Sequence, residues 1–303
     1  MTIYKRKTKG DLIFDILNVI LLFAITLICL YPIWHVVVAS ISDPTQLSTH
    51  RGLLLAPLSK PTLKGYEILF RDPKILISYK NTFIYVGLGT LLNMVLTIFG
   101  SYTLSRKNLY FKKIIMIIIT ITMFFGGGLV PWFLLMKQIG LYNNVWAMIL
   151  PTAINSWNMI VLRTGFENVP SELEEAAKID GASQPYILFN IILPLSKAVL
   201  AVIFLYYFVG NWNSWFNAMV LLKDREKFPL QLIIKEILVQ NDTAGGATSG
   251  GTQIVVSSIQ GTTAYRELIK YCTIVISTLP VLCIYPFVQK YFTKGVFVGS
   301  LKG

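Results

Sequence analysis

Residues 14–39, "FDILNVILLFAITLICLYPIWHVVVA", run almost without charge, Asp15 being the one ionised side chain. About 20 such residues in a helix cross a hydrocarbon core of about 30 Å. In lipid, every backbone N–H and C=O must be satisfied inside the protein, so a run of this kind folds as a helix. Comparable runs stand at 81–104, 113–136, 144–164, 196–221 and 271–292. Soluble domains carry about 25% charged residues. Here the charged share is 14% over 303 residues, too little to coat a water-facing surface. The pattern predicts an all-α polytopic membrane protein with six transmembrane helices.

Lys5, Arg6, Lys7 and Lys9 precede the first run. It is too long for the core of a cleaved signal peptide and is read as a retained span. "GDLIFDILN" (10–18) reads as an amphipathic lead-in at the membrane surface. Pro151 falls inside the fourth run, where neighbouring helices can shelter a kink. Arg106, Lys107, Lys112 and Lys113 crowd one short turn, whereas Lys137 is alone in the next. Basic residues favour the cytoplasmic side of short loops, which places the N-terminus and the 105–113 turn inside. Six crossings bring the C-terminus inside as well, and parity makes 165–195 cytoplasmic. The longer segments 40–80 and 222–270 fall outside by the same count. Both are also basic, but long loops obey the rule weakly.

The net charge of +12 is spread between apolar runs. That fits Lys and Arg flanking a membrane and not a nucleic-acid surface. Cys29, Cys272 and Cys283 stand singly in apolar runs and read as small buried hydrophobes. His35 and His50 are the only histidines, so neither a zinc cluster nor histidine-based catalysis is expected. No Gly-Lys dipeptide occurs, which excludes a G-x-x-x-x-G-K-[ST] phosphate loop. The glycines at 126–128 read as a helix break. No nucleophile–base pair lies within a span, and no metal or cofactor site is expected in this chain.

One stretch departs from the apolar pattern: "NVPSELEEAAKIDGASQPYILFNIILPLSKAVL", residues 168–200. Ser171 and Glu174 have capping-box spacing, so a helix is expected to begin at Glu172. Glu172, Glu174 and Glu175 favour the positive end of its dipole, and Gly181 fits a helix stop. Leu173, Ala176, Ala177 and Asp180 share one narrow face. A helix lying on lipid headgroups favours basic polar faces and bulky apolar anchors. This one is acidic and nearly smooth, which suits a protein groove.

Glu175-Ala176-Ala177, three residues, Gly181, nine residues, then Ile191-x-Leu193-Pro194 matches the EAA motif of ABC importer permeases at every spaced position. The chain therefore resembles the transmembrane subunit of a bacterial carbohydrate ABC importer of the maltose-permease type. "NTFIYVGLGTLLNM", "SRKNLYFKK", "FFGGGLVPWFLL", "GNWNSWFNA" and "YPFVQKYFTKGVFVGSLKG" extend the likeness over nearly the whole chain, toward the group importing complex and pectin-derived oligosaccharides. The resemblance implies that the acidic helix is a coupling helix seated in an ATPase cleft. Glu174, Glu175, Ala176, Ala177, Asp180, Gly181, Leu193 and Pro194 would form that joint. It also implies a second permease subunit, two copies of an ATPase that hold ATP and Mg, and an extracytoplasmic sugar-binding protein, all at the bacterial cytoplasmic membrane. Alternating access by rocking helix bundles would move the sugar.

The rival class is a secondary carrier or channel for small polar solutes. Ion-driven carriers commonly place ionisable groups at membrane depth, and the centres of the six runs hold essentially none. The candidate sugar pathway is "GNWNSWFNA" (210–218). Asn211, Ser214 and Asn217 offer hydrogen bonds there, and Trp212 and Trp215 offer ring faces. Asn155 and Asn158 of "NSWN" are a further candidate pair. Amides can equally bind helices to each other inside a membrane. The expected layout is a cytoplasmic segment 1–13, a transmembrane domain 14–292 and a cytoplasmic tail 293–303. The resemblance sends that tail between the ATPase subunits. "FPLQLIIKEILVQ" should form an amphipathic helix with Leu230, Ile233, Ile234 and Ile237 on one face. The small-residue stretch after it (241–253) would, by resemblance, enter the binding protein's cleft.

Overall fold

The structure, a computed structural model, describes residues 9–242 and 263–300, and no strand occurs among them. The helices are α1 (Lys9–Ser40), α2 (Pro44–Thr49), α3 (Lys64–Arg71), α4 (Pro73–Ser105), α5 (Lys112–Phe124), α6 (Leu129–Gln138), α7 (Ser156–Glu167), α8 (Ser171–Ile179), α9 (Gln184–Ile187), α10 (Leu193–Leu195), α11 (Lys197–Trp212), α12 (Phe216–Leu221), α13 (Leu230–Asp242) and α14 (Thr263–Ser300). Short 3-10 turns stand at Val145–Met148 and Arg225–Lys227, and a π turn at Leu188–Ile192 joins α9 to α10. The described residues form two compact units: 9–72 with 238–242 and 263–276, and 73–237 with 277–300.

Three helical stretches among the described residues are long and apolar enough to cross a membrane alone: Lys9–Ser40, Pro73–Ser105 and Tyr265–Phe287. Two further crossings exist only as bent pairs: Lys112–Phe124 with Leu129–Gln138 at 112°, and Gln184–Leu195 with Lys197–Trp212 at 86°. Three of the six expected runs are thus not continuous helices among the described residues. The 113–136 run turns at Gly126–Gly128, where Gly128 has φ +82. The 144–164 run is helical only as a 3-10 turn and then from Ser156. Asn144 and Asn155 each accept a bond from a backbone N–H two or three residues on, which starts a new element at each. Pro151 between them has no N–H to continue a helix. The 196–221 run stops at Trp212 and resumes at Phe216.

In the first unit, α1 is continuous from Lys9, so no separate lead-in helix exists. Leu12, Ile13 and Phe14 are exposed and apolar like the turns after them, so the lead-in continues the same helix. Only Val38, Ala39 and Ser40 of α1 are buried. Around them Tyr66 donates to Ser40 Oγ at 2.7 Å, and Cys272 Sγ donates to the Ser40 carbonyl at 3.3 Å. Of the cysteines, Cys272 is buried as expected, whereas Cys29 and Cys283 are exposed. A membrane helix is apolar on its outer side too, so hydrophobicity did not imply burial there.

The second unit is built on α4, against which α7 and α11 pack. Its buried face carries Ser78, Thr82, Gly89, Thr90, Asn93, Thr97, Ser101 and Ser105. Small and polar residues at this three-to-four spacing let neighbouring helices approach closely. The 222–230 stretch is fastened to α4: Asn81 donates to the Glu226 and Phe228 carbonyls, Tyr85 to that of Lys227, and Thr82 Oγ1 accepts from Leu230 N. Beyond it, α13 buries Leu230, Ile233, Ile234 and Ile237 as the pattern predicted, together with Leu232. The small-residue segment 243–253 lies outside the described residues. Of the tail, the backbone to Ser300 continues α14, and 301–303 lie outside the described residues.

Candidate functional site: the α8 helix and the polar layer beyond it

The helix α8 spans nine residues. Its end follows the sequence closely. Asp180 is the C-cap, Gly181 takes φ +79, Gly181 N–H donates to the Lys178 carbonyl at 3.1 Å and Ala182 N–H to that of Ala177 at 2.9 Å. This pair of bonds is the Schellman stop that needs a left-handed residue. Its start does not form the expected capping box. Pro170 holds the N-cap position with no side-chain bond, and the helix begins at Ser171. The Glu174 carboxylate is engaged elsewhere, by Arg106 and, at 2.8 Å, by Lys178.

That engagement divides the acidic cluster. Glu174 turns toward its own protein, its side chain only 15% exposed beside Arg106 at 19%. Ala177 and Ala182 pack on a core of Tyr102, Leu162, Phe166, Ile187 and Leu188. Glu172, Leu173, Glu175 and Ala176 are exposed on the other side, with Ile179 87% exposed. No described side chain pairs with Glu175. The outward face is therefore acidic at one edge and apolar along Leu173, Ala176 and Ile179. Asp180 is exposed at its end. Leu193 and Pro194 lie farther on, in α10. Pro194 offers no N–H to the carbonyl four residues back, and the chain widens into the π turn just before it.

Arg106 is held by more than Glu174. Its guanidinium lies 4.5 Å from the Tyr102 ring centroid, and it donates to Ser105 Oγ from Nε at 3.1 Å and from Nη2 at 2.9 Å. Tyr102 in turn donates to Gln184 Oε1 at 2.7 Å. Nearby, Glu167 accepts from Lys112 at 3.0 Å and from Arg163 at 2.8 Å. Burial raises the Glu167 carboxyl, but the bonds from Lys112 and Arg163 outweigh it and hold the group below its ordinary value. These charges border a cleft of about 550 Å³ beside α8.

Farther along α4 lies a layer of amides and hydroxyls. Asn93 donates to the Thr152 and Ala153 carbonyls at 2.5 and 2.9 Å, in the gap before α7. Asn211 donates to Asn93 Oδ1 at 2.9 Å and to Thr90 Oγ1 at 3.2 Å. Tyr207 OH bonds Thr97 Oγ1 at 2.7 Å and accepts from Asn155 N–H at 3.1 Å. Helix rise places Asn93 about 18 Å from the Ser105 end of α4, and Ser156 about 17 Å from the Glu167 end of α7. The layer therefore stands about three turns in from the ends of both helices.

Most of the expected sugar-pathway residues are occupied by this packing. Asn211 belongs to the layer. Trp212 is 1% exposed, edge-on to Phe83 and stacked on Phe208, with Nε1 donating to the Ser277 carbonyl at 3.0 Å. The Trp215 ring is covered by the Lys235 ammonium, 2.9 Å from its centroid. Ser214 and Asn217 are half-buried. Asn158 is buried and its N–H donates to Asn155 Oδ1 at 3.0 Å, while the Asn155 side chain is exposed. The layer thus accounts for Asn211 as helix-to-helix bonding.

Residues 77–247 match the family described as "Binding-protein-dependent transport system inner membrane component". The chain belongs to this family. Protein LplC of Bacillus subtilis (strain 168) is 35% identical over 296 residues, covering 98% of this chain and 97% of that protein. The polygalacturonan/rhamnogalacturonan transport system permease protein YtcP of the same strain is 37% identical over 292 residues, covering 96% and 99%. A chain from the crystal structure of a bacterial ABC transporter involved in import of the acidic polysaccharide alginate superposes with TM-score 0.84 at 32% identity, covering 95% of this chain and 99% of that one.

As an inner-membrane component, this chain is a multi-pass, non-catalytic permease subunit that works with a binding protein, and ATP hydrolysis belongs to a separate partner. Several residues of the permease escaped the motif. Ile179 is 87% exposed on α8, and Arg106 is the partner of Glu174. Asn93 and Tyr207 organise the polar layer. For Asn93 a signal existed: Thr90, Asn93, Thr97 and Ser101 recur at helical spacing along one face of an otherwise apolar run.

Proposed function

We propose that this chain is one half of a heterodimeric permease of the bacterial cytoplasmic membrane that imports an acidic oligosaccharide. Two copies of a separate ATPase, holding ATP and Mg, drive it, and an extracytoplasmic binding protein delivers the sugar. The observation that carries the substrate class is the agreement between two relatives. One at 37% identity is named for polygalacturonan and rhamnogalacturonan, and one at 32% identity and TM-score 0.84 for alginate. Galacturonan and alginate are both polyuronates. The outward face of α8 supports the coupling role. Leu173, Ala176 and Ile179 offer a shallow apolar contact, and the exposed carboxylate of Glu175 is suited to a basic residue on the ATPase. Closure of the ATPase dimer would draw the two coupling helices together and open the bundle toward the binding protein.

The test is uptake by proteoliposomes holding both permeases and the ATPase, supplied with binding protein loaded with oligogalacturonate or with a neutral oligosaccharide of equal length. ATP-dependent uptake of the acidic sugar is expected. Uptake that persists without the ATPase would return the chain to the carrier class, and a preference for the neutral sugar would overturn the substrate.

A further inference from the structure

The helix α8 stands between two non-helical links. Asn168-Val169-Pro170 leads in from α7, with Pro170 extended at φ −54 and ψ 128, and left-handed Gly181 leads out. Ala177 within it and Val169 and Ala182 beside the links pack on the core, and charged and polar contacts hold it sideways as well. The side support is on α4. Glu174 meets Arg106, one residue beyond the end of that helix, and Tyr102 on its last turns meets Gln184 just past the outgoing link. Arg106 is itself held by the Tyr102 ring and by Ser105 Oγ, so its guanidinium does not swing freely.

Beyond Ser105, α4 is one unbroken helix to the polar layer, about 18 Å away, where Asn93 and Thr97 bind α11 and the unwound segment before α7. α7 is fastened to the same helix, through Ser101 Oγ on the Met159 carbonyl at 2.8 Å and Arg163 Nε on the Leu104 carbonyl at 3.2 Å. α4 thus gathers the bundle, and one ion pair joins it sideways to α8.

We propose that the Arg106–Glu174 pair is the strut that carries displacement of α8 into α4, with Arg106 a positioning residue for transport rather than a contact for sugar or ATPase. The proposal rests on the coupling role given to α8 above. It gives the two neighbouring carboxylates separate roles, Glu175 meeting the partner and Glu174 transmitting the motion.

The experiment compares Arg106→Glu, Glu174→Arg and the double reversal in the full complex, reconstituted with ATPase and binding protein. Lys178, half exposed beside Glu174, has room to swing away from the reversed charge. Three quantities are read: retention of the ATPase, basal hydrolysis, and sugar taken up per ATP hydrolysed. Arg106→Glu should keep the ATPase and basal hydrolysis but lower the uptake ratio about tenfold, a usual size for a coupling effect, and Glu174→Arg should lower the ratio by as much. The double reversal should recover to within about threefold of wild type. A lost contact that merely loosened the fold would lower assembly and hydrolysis together and leave the ratio unchanged. If a single reversal fails to assemble, Arg106→Gln and Glu174→Gln take the same ratio test. Singles with a wild-type ratio, or a double no better than the singles, overturn the strut. Glu175→Lys reports separately on docking. Its retention of the ATPase would overturn the docking role of α8 whatever the strut variants do.

Discussion

At the scale of single residues, Glu167 sets the firmest electrostatic expectation. It receives Lys112 from the start of α5 and Arg163 from its own helix, and these bonds hold its carboxyl below the ordinary 4.5 despite partial burial. A carboxylate whose folded value lies below its unfolded one stabilises the fold above the unfolded value. It loses that contribution as pH falls through the folded value. Glu167→Gln should therefore lower the melting midpoint of the purified complex at pH 7, by the equivalent of about 0.5–1 kcal/mol for a partly exposed pair. The gap between variant and wild type should close as pH drops well below 4.5. An equal gap at pH 3.5 and pH 7 would show that the side chain acts by shape and not by charge. Residues of this kind were the hardest to assign from sequence. The motif located Glu174 and Glu175 side by side, yet one turns inward and the other outward. That difference is set by Arg106, 68 positions earlier, and no local pattern contains it.

Among elements, close packing is decided where α7 meets α11. A Cβ built on Gly165 would stand 2.6 Å from Val199 Cγ1 and 3.1 Å from Cγ2. Valine is stiff at χ1, so it cannot turn both methyls aside. Gly165→Ala should destabilise the complex by about 1–3 kcal/mol through overpacking. Val199→Ala alone removes methyls and should cost about 1–2 kcal/mol. Together they should cost less than their sum, because the added methyl occupies the vacated space. Thermal unfolding of the four proteins checks this, and strict additivity would mean that the helices simply part. The element scale is also where the sequence was most and least legible. Gly181 stopped α8 where expected, and Leu230, Ile233, Ile234 and Ile237 buried their face of α13. The interruptions within the runs were less legible, because average hydropathy is blind to backbone direction. Gly126–Gly128 was readable as a break, and the capping side chains of Asn144 and Asn155 carried the same message inside 144–164. The sequence leaves the use of "GNWNSW" open, because amides that bind helices and amides that bind hydroxyls are chemically identical. Only Asn93, on a different helix, shows which use Asn211 serves.

For the whole molecule, the remaining question is how a sugar-loaded receptor outside is sensed by a helix bundle. The stretch after α12 is firmly rooted. Asn143 accepts from Lys223 N–H and Asp224 N–H at 3.1 and 3.0 Å and donates to the Asp224 carboxylate at 2.8 Å, and its carbonyl takes Lys227 Nζ at 2.9 Å. From there the chain enters α13, whose first turns are buried. The segment 243–252, "TAGGATSGGT", lies outside the described residues and has no side chain large enough to build a core of its own. A tether to α14 needs no particular composition. Small residues do suit entry into a narrow cleft on a partner. Replacing 243–252 with a shorter Gly-Ser linker should therefore leave assembly and basal ATP hydrolysis at wild-type levels, because the rooted stretch and α13 are untouched. Hydrolysis stimulated by the loaded binding protein, and sugar uptake with it, should fall about tenfold, as expected for loss of one coupling contact. The two rates are measured on the same proteoliposomes, so a defect in reconstitution lowers basal hydrolysis too and is recognised. If stimulation and uptake both survive the shortening, the segment is only a connection, and the receptor must be sensed through the fastened residues 222–230 instead.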